Sequence, residues 1–465
     1  MLKNIRCVMS IKKSNIFYIV GTGFSGLISV ISIPLFTWYF NVVDIGIGAL
    51  FIIVVNLLTV LSSMALEQYV LRNYYHLDDI GKSQMFTSFY FLSLLVLAIF
   101  GIFIFIFNVE LSNWIFSQSS SIGLLFLFIS VLATLSKKFT SITLRMESES
   151  LYFAMGQIIE KLTLLLLVVF FGTMTTGKLS WNEFVISYMV SVLFVSIFQK
   201  YICSKEGYIS IKLKNVNLSI IKKSLSYSYP LLFSILIIWA MGSLDKIFIK
   251  NYSGDYALGQ YTNAFKFAGV ALLVQGLVST ILLPKLLRLY KENSDLQVYR
   301  EILTIVVYGC VLFYCLLILM LPLIKVFIDH EFYSSIELVP ILMVYPLFYM
   351  ISEVSGIGII FSKKTKYSFY SSVITITVVF TCLFYFVPYY GAKGASISVA
   401  IAYFSMFASR SLYSTICWEN PFTISAMIGV GIIIMAPFFL EFNEFYIALL
   451  LSSSIYMFKK IRELV

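Results

Sequence analysis

From Ile16 onward the chain alternates long apolar runs with short polar breaks. Most runs reach roughly 18 residues, the length at which a helix crosses a bilayer core of about 30 Å. Their limits predict fourteen spans: 16–40, 48–66, 86–107, 122–136, 151–171, 183–202, 229–250, 260–284, 302–327, 337–361, 367–387, 392–416, 422–440 and 443–458. The runs are continuous and lack a period of two, which argues against a transmembrane β-barrel. The pattern predicts an all-α polytopic membrane protein with about 14 transmembrane helices and no soluble domain.

Polar residues inside the runs recur at helical spacing. Thr22, Ser25, Ser29 and Ser32 share a face of span 1, and Asn56, Thr59, Ser63 and Glu67 a face of span 2. Gly156, Glu160 and Thr163 do so in span 5, and Thr262, Lys266, Gly269, Gly276 and Thr280 in span 8. Span 10 aligns Tyr345, Tyr349, Glu353 and Gly356. Small and hydroxyl residues in such stripes let membrane helices pack closely. Charges are different. Lys161 lies ten residues past Leu151, about 15 Å along the helix, where a charge costs about 2.5–3.5 kcal/mol. It needs a partner or a wet cavity. The plainer reading pairs Glu160 with Lys161 and lets Lys266 reach outward to the interface. It also sends Lys246 and Lys250, one turn apart at the outer end of span 7, to lipid headgroups. Asp245 gains little from headgroups and calls for a specific partner, and Glu353 is a deep carboxylate with no neighbouring cation in sequence.

Composition sharpens this. Hydrophobic residues make up 60% of the 465 and charged residues 12%, half the share of ordinary soluble domains. The net charge of +10 could suggest a nucleic acid, but its placement does not. With the N-terminus inside, 26 of the 33 Lys and Arg fall in cytoplasmic segments and five in outer ones. That is the positive-inside bias, so no nucleic-acid partner is expected, and both termini are expected in the cytoplasm. The N-terminal run lacks a small-residue cleavage site and reads as an uncleaved first span. Six scattered cysteines form no CxxC pair, so neither a disulfide framework nor a metal site is expected, and no cofactor. Trp38, Trp114 and Trp181 fall near outer ends, where aromatic residues favour the interface.

The longest connection, 203–228, is basic. It predicts a six-helix bundle over 1–202, a linker at 203–228, a second six-helix bundle over 229–416, and two additional helices over 417–465. "DIGIGAL" (44–50) and "ALGQYTN" (257–263) follow the first span of each half, and "SKK" recurs at 136–138 and 362–364 after the fourth. The halves would then be related by a pseudo-two-fold axis along the membrane normal.

"YPLLFSILIIWAMGSLDKIFIKNYSGDYALGQYTNAFKFAG" (229–269) resembles spans seven and eight of bacterial polysaccharide transporters of the O-antigen flippase type, within the multidrug/oligosaccharidyl-lipid/polysaccharide exporter superfamily. "GALFIIVVNLLTVLSSMALEQYVLRNYY" (48–75), "SKKTKY" (362–367) and "PYYGAKGASISVAIAY" (388–403) extend the resemblance over nearly the whole chain. It implies two bundles facing a central cavity and alternating access in the bacterial inner membrane. The implied cargo is an undecaprenyl-pyrophosphate-linked oligosaccharide, moved to the outer leaflet with an H+ or Na+ gradient as driving force. Polysaccharide polymerase and assembly proteins are the implied partners. By this resemblance Lys161, Lys266 and Lys246 would attract the pyrophosphate, and Asp245, Glu160 and Glu353 would balance or gate that charge. Asn56, Gln275 and Tyr261 would meet sugars. No arginine is expected deep in a span, so anion recognition would fall to lysine.

Two rivals remain. A drug or metabolite antiporter of the same superfamily would favour an acidic cavity, and the mixed Lys/Glu inventory leans away from it. A membrane polysaccharide polymerase usually needs sizeable outer loops with catalytic groups. Here the loops are short, and the two histidines, His76 and His330, lie on opposite sides as solvated loop residues. A transporter, not an enzyme, is expected.

Overall fold

A computed structural model describes residues 13–209, 213–292, 295–438 and 443–464. Lys3, Arg6, Cys7, Lys12 and Lys212, which entered the sequence reading, lie outside the described residues. The helices are α1 Lys13–Tyr39, α2 Val42–Ser63, α3 Leu66–Asn73, α4 Asp79–Ile106, α5 Asn108–Phe116, α6 Ser121–Met146, α7 Ser150–Met174 and α8 Trp181–Lys205. They continue as α9 Leu218–Met241, α10 Leu244–Lys291, α11 Leu296–Phe327, α12 Tyr333–Ser355, α13 Ile357–Phe361, α14 Lys366–Cys417, α15 Ile424–Met435 and α16 Asn443–Leu464. Among the described residues, eleven helices are long and apolar enough to cross a membrane. α14 holds two expected spans, on either side of Gly391, and α15 and α16 coincide with the last two. The chain is a multi-pass, all-α membrane protein.

Several boundaries move for physical reasons. Span 2 ends at a break where Met64 and Ala65 take φ of 47° and 57°, a left-handed conformation that costs an L-residue roughly 1–2 kcal/mol. Span 4 runs to Met146, ten residues past its expected end, because Lys137 and Lys138 find acidic partners on neighbouring helices. The "SKK" repeat is therefore not equivalent in the two halves: 136–138 lies inside α6, whereas 362–364 lies in the turn after α13. Span 7 is split at Gly242–Ser243 between α9 and the start of α10. α10 and α14 each break at one glycine, Gly254 (φ 77°) and Gly391 (φ 53°), where a side chain would be strained.

The chain divides into two compact units, Met1–Ser243 and Leu244–Val465. In the first, α2, α6 and α8 enclose a core of Phe51, Val55, Leu127, Val131, Val185 and Val192. A second cluster around Leu66, Val70, Phe86, Phe89, Phe139 and Leu144 fills the space beneath α3. α1 lies along α7, with Thr22 Oγ1 donating to Gln157 at 3.2 Å. The remaining serines of the span 1 stripe turn inward to their own helix and donate to carbonyls three or four residues back. The sequence places span 7 with the second bundle, yet α9 packs on α2, α3 and α4. The Asn217 cap ties it there, its backbone N–H donating to Ser88 Oγ at 2.9 Å.

In the second unit α12 is central and packs against α10, α11 and α14, while α11 carries α15 and α16. A chain of aromatic contacts runs through it: Phe265 stacks on Tyr345 (centroids 5.3 Å apart), Tyr345 meets Tyr403 at a tilt (5.0 Å), and Tyr403 meets Tyr349 edge to face (6.1 Å). The five described cysteines are all free. Trp181 does not sit at an interface. It is buried against Phe116, ring centroids 4.5 Å apart, with its backbone N–H on Asp44 Oδ1.

Glycine sets the helix spacing at α2–α8, where a Cβ on Gly48 would stand 2.4 Å from the Phe184 ring. Gly48→Leu is expected to lower stability by about 1–3 kcal/mol, read as a fall in melting temperature in detergent. Gly431→Ala, with nothing within 4 Å of the new methyl, should leave it unchanged or slightly raised.

Candidate functional site

In the first unit the break after Ser63 turns Glu67 into the interior, where it is 6% exposed. Lys138 reaches it from α6, Nζ to Oε1 2.6 Å, and also donates to Ser63 Oγ at 2.8 Å. One lysine thus grips both sides of the break. Its neighbour Lys137 points to α7 and pairs with Glu160 at 3.0 and 3.1 Å. The partner of Glu160 is therefore not the adjacent Lys161. Lys161 has no acidic partner among the described residues and is exposed. Ala154 and Val168, seven residues to either side and so on the same face, are buried. Asn56, like Lys161, is exposed, on a helix that is mostly buried.

At the C-terminal end of α6, beyond Lys138, Glu147 and Glu149 organise a polar rim. Tyr74 donates to Glu147, which also pairs with Lys82 at 3.2 Å. Burial and the Glu147 carboxylate push the Tyr74 phenol well above its ordinary range. Tyr208 donates to Glu149 at 3.0 Å, and desolvation together with that carboxylate raises it to about 12. Both phenols remain protonated donors at any physiological pH.

In the second unit Asp245 and Lys246 are 2% and 8% exposed and bond to each other at 3.2 Å. Tyr261 donates to Asp245 Oδ2 at 2.5 Å, and the Lys246 ammonium lies 4.0 Å from the Phe265 ring centroid. Neither reaches for headgroups. Tyr261 serves the carboxylate here rather than facing open space. Lys250 also turns inward: it pairs with Asp255 at 2.6 Å, bridging the Gly254 kink. Lys266 is half-buried on α10. His330 is exposed beside Asp329.

Deeper in this unit Gln275 donates to Glu353 Oε2 at 2.8 Å. Glu353 lines a cavity of about 220 Å³ with Tyr349, Ser352, Ser279, Ser368 and Arg410. Arg410 Nη1 donates to Ser352 Oγ at 3.4 Å, while its buried Nε has no hydrogen-bond partner. The guanidinium also lies 5.9 Å from the Tyr349 ring centroid. The expectation that no arginine sits deep in a span fails at Arg410. It stands seven residues before the end of α14, roughly 10 Å inside. The signal was present, since "SLYSTIC" (411–417) after Arg410 is uncharged and can continue a helix. The structure brings Gln275 together with Glu353, and Lys246 with Asp245. Glu160 and Lys161, neighbours in sequence, face different surroundings.

Residues 11–290 match the family described as polysaccharide biosynthesis protein. Over 226 residues the chain is 26% identical to the capsular polysaccharide biosynthesis protein CapF of Staphylococcus aureus, a match covering 46% of this chain. The chain spans little more than half of that relative, 56% of its length. The structure of the lipid II flippase MurJ in an inward closed conformation superposes with a TM-score of 0.73 at 14% identity, covering 96% of this chain and 98% of that one. An inward-facing multidrug resistance MATE family transporter of the MOP superfamily gives a TM-score of 0.51 at 16% identity, over 94% of this chain and 98% of its own. At such identities the likeness is one of fold.

The Lys138–Glu67 pair generates a test. Lys138→Met leaves a buried carboxylate uncompensated and should cost about 3 kcal/mol. Adding Glu67→Gln should recover most of the loss, since the remaining amide needs no counter-charge. Thermal unfolding of the single and double variants in detergent closes the cycle; equal stability of Lys138→Met and the native chain would show the pair to be inert.

Proposed function

This chain belongs to the polysaccharide biosynthesis protein family, and from that premise we propose that it is a flippase for an undecaprenyl-pyrophosphate-linked oligosaccharide. The cargo is the repeat unit of an O-antigen or similar surface polysaccharide. It crosses the bacterial inner membrane by alternating access, and an H+ or Na+ gradient drives the movement. Both termini lie in the cytoplasm, and a polymerase consumes the product outside.

The observation that carries this reading is the distribution of polar chemistry. Connections between helices are short, and the charged groups of interest are inside the helical units: Glu67, Lys137, Lys138 and Glu160 in one, and Asp245, Lys246, Glu353 and Arg410 in the other. A chain of a polysaccharide pathway built this way has its working surface within the membrane, where intramembrane charges mark substrate and ion paths. This favours translocation over bond-making, so the protein is not an enzyme. Lys161 and Lys266 attract the diphosphate and Asn56 supports the sugars. Lys246 is held by Asp245, and Glu160 by Lys137, so both pairs balance charge and the second also ties α6 to α7.

Deleting the gene should trap lipid-linked repeat units in the inner leaflet and abolish the surface polymer. Unchanged surface glycan in a strain with no redundant transporter would rule the flippase out, and altered drug tolerance in that strain would point to the antiporter. In proteoliposomes, Lys161→Ala should slow translocation roughly tenfold, the loss of one charge-assisted contact, with normal protein levels.

A further inference from the structure

The two "SKK" stretches part company in their chemistry as well as their place. In the first unit both lysines close on a carboxylate, Lys137 on Glu160 and Lys138 on Glu67. In the second, Lys363 and Lys364 are exposed in the turn between α13 and α14, and their ammonium groups have no acidic partner among the described residues. Lys366, the first residue of α14, is also exposed and rests 5.2 Å from the Tyr367 ring centroid. An aromatic cluster fixes where this turn lies. Phe361, the last residue of α13, stacks on Tyr290 of α10 with centroids 4.0 Å apart, and Trp418 meets Phe361 edge to face at 5.0 Å. Next to Tyr290 is Lys291, the exposed end of α10, again without an acidic partner among the described residues. The stack therefore brings basic residues from two distant chain segments to one end of the unit. Carboxylates in the adjoining connections do not neutralise them. Glu292 holds Arg288 at 2.8 Å, Asp295 accepts from the Gln297 N–H at 3.3 Å, and Glu419, beside Trp418, forms no ion pair among the described residues.

The lysines also stand against local preference. The Lys363 N–H bonds back to the Ile360 carbonyl and the Lys364 N–H to that of Ile359, a helix ending that usually carries glycine at the position of Lys363. Its φ is 56°, which glycine adopts freely and an L-residue only at a cost. Lys363, Lys364 and Lys366 crowd the N-terminal end of α14, where the helix dipole disfavours cations. An anion would relieve both the mutual repulsion and the dipole. The surface beside them indicates which anion. Leu287 on α10 and Ile360 on α13 are 40% and 43% exposed, and Phe369, one turn into α14, is 56% exposed. Exposed hydrocarbon, then Tyr290 and Trp418, then ammonium groups, at the ends of membrane-crossing helices, match the acyl chains, glycerol region and phosphate of a phospholipid.

We propose that this end of the second unit is a docking surface for the headgroup of an anionic phospholipid of the bilayer, held by Lys291, Lys363, Lys364 and Lys366. The lipid is a resident of the membrane and not the transported molecule, so the surface is independent of the cargo. A soluble phosphate would meet the same ammonium groups but leave the apolar strip uncovered. A bound headgroup bridges the end of α10 and the start of α14 and adds to the grip of the Tyr290–Phe361 stack, so the stability of this unit depends on the charge of the surrounding lipid.

The test titrates the purified full chain, in a neutral detergent, with phosphatidylglycerol bearing brominated acyl chains, with the matching phosphatidylcholine, and with glycerol 3-phosphate. Bromine quenches tryptophan on contact, and Trp418→Phe isolates the share of that ring. Phosphatidylglycerol should quench Trp418 saturably and raise the melting temperature; the other two should do neither. Equal quenching by phosphatidylcholine overturns recognition of charge, and equal stabilisation by glycerol 3-phosphate overturns the lipid. Lys364→Gln should weaken binding roughly fivefold, the share of one lysine near a charged surface, and Lys364→Arg should retain it. Lys363→Gly should weaken binding by a similar factor while raising the melting temperature of the lipid-free chain, because glycine suits that turn. A lysine that served the fold alone would not move affinity and stability in opposite directions, so native affinity in both Lys363→Gly and Lys364→Gln overturns the proposal. The double variant Lys222→Gln/Lys223→Gln, at the start of α9, measures the diffuse pull of a basic protein and should bind like the native chain. A loss there as large as in Lys363→Gly/Lys364→Gln would leave only that diffuse pull and overturn the site.

Discussion

A charge buried among apolar helices must be neutralised or hydrated, and the interior of this protein is arranged around that rule. An ion left alone in the hydrocarbon costs several kcal/mol, more than most packing contacts return. Lys137 and Lys138 show the consequence. Read along the chain they look like the basic end of a span; in the fold they extend the helix by ten residues, because Glu160 and Glu67 are waiting on α7 and on the far side of the α2–α3 break. Asp245, Lys246 and Tyr261 form a closed set, and Lys250 with Asp255 closes the Gly254 kink. The Lys137–Glu160 and Lys138–Glu67 pairs fix which helices touch and at what height, a task that apolar contacts between lipid-like side chains perform poorly.

The groups outside this closed accounting are few. Lys161 is exposed, Asn56 is exposed on a mostly buried helix, and Arg410 keeps an unbonded Nε beside a cavity. Satisfied charges hold the structure, and incompletely satisfied ones are where a ligand has something to gain. The two units differ in this respect. The first meets its surroundings with an ammonium and an amide, while the second lines one cavity with a guanidinium, a carboxylate and the Tyr349 ring.

The helices themselves were legible in the sequence because bilayer thickness imposes a length that hydropathy reports directly. Every expected span has its helix, and the polar stripe of span 10 places Tyr349, Glu353 and Gly356 on one cavity wall. What was not legible are pairings between spans. Glu160 sits beside Lys161 in sequence but bonds to Lys137, since adjacent residues on a helix point about 100° apart and meet different neighbours. Lys250 looked free to reach headgroups because nothing local shows that Asp255 lies across a glycine kink. Arg410 falls inside the expected span 392–416 yet is counted with the cytoplasmic charges; its interior position depends on contacts with α12 that no single span reveals.

The interruption at Met64–Ala65 has one further consequence. Span 2 is a rod with a joint in it, and at that joint the main chain gives up its regular ladder: Met64 N–H turns back to the carbonyls of Val60 and Leu61, and the next bond is from Gln68 to Ala65. The eight residues of α3 therefore set off in a new direction, held by the buried Leu66 and Val70 and by the ammonium group that clasps Ser63 and Glu67 from α6. Because both joint residues carry side chains in a mirror-image conformation, the bend is held at a local cost in strain, and the clasp from α6 is one of the contacts that offset it.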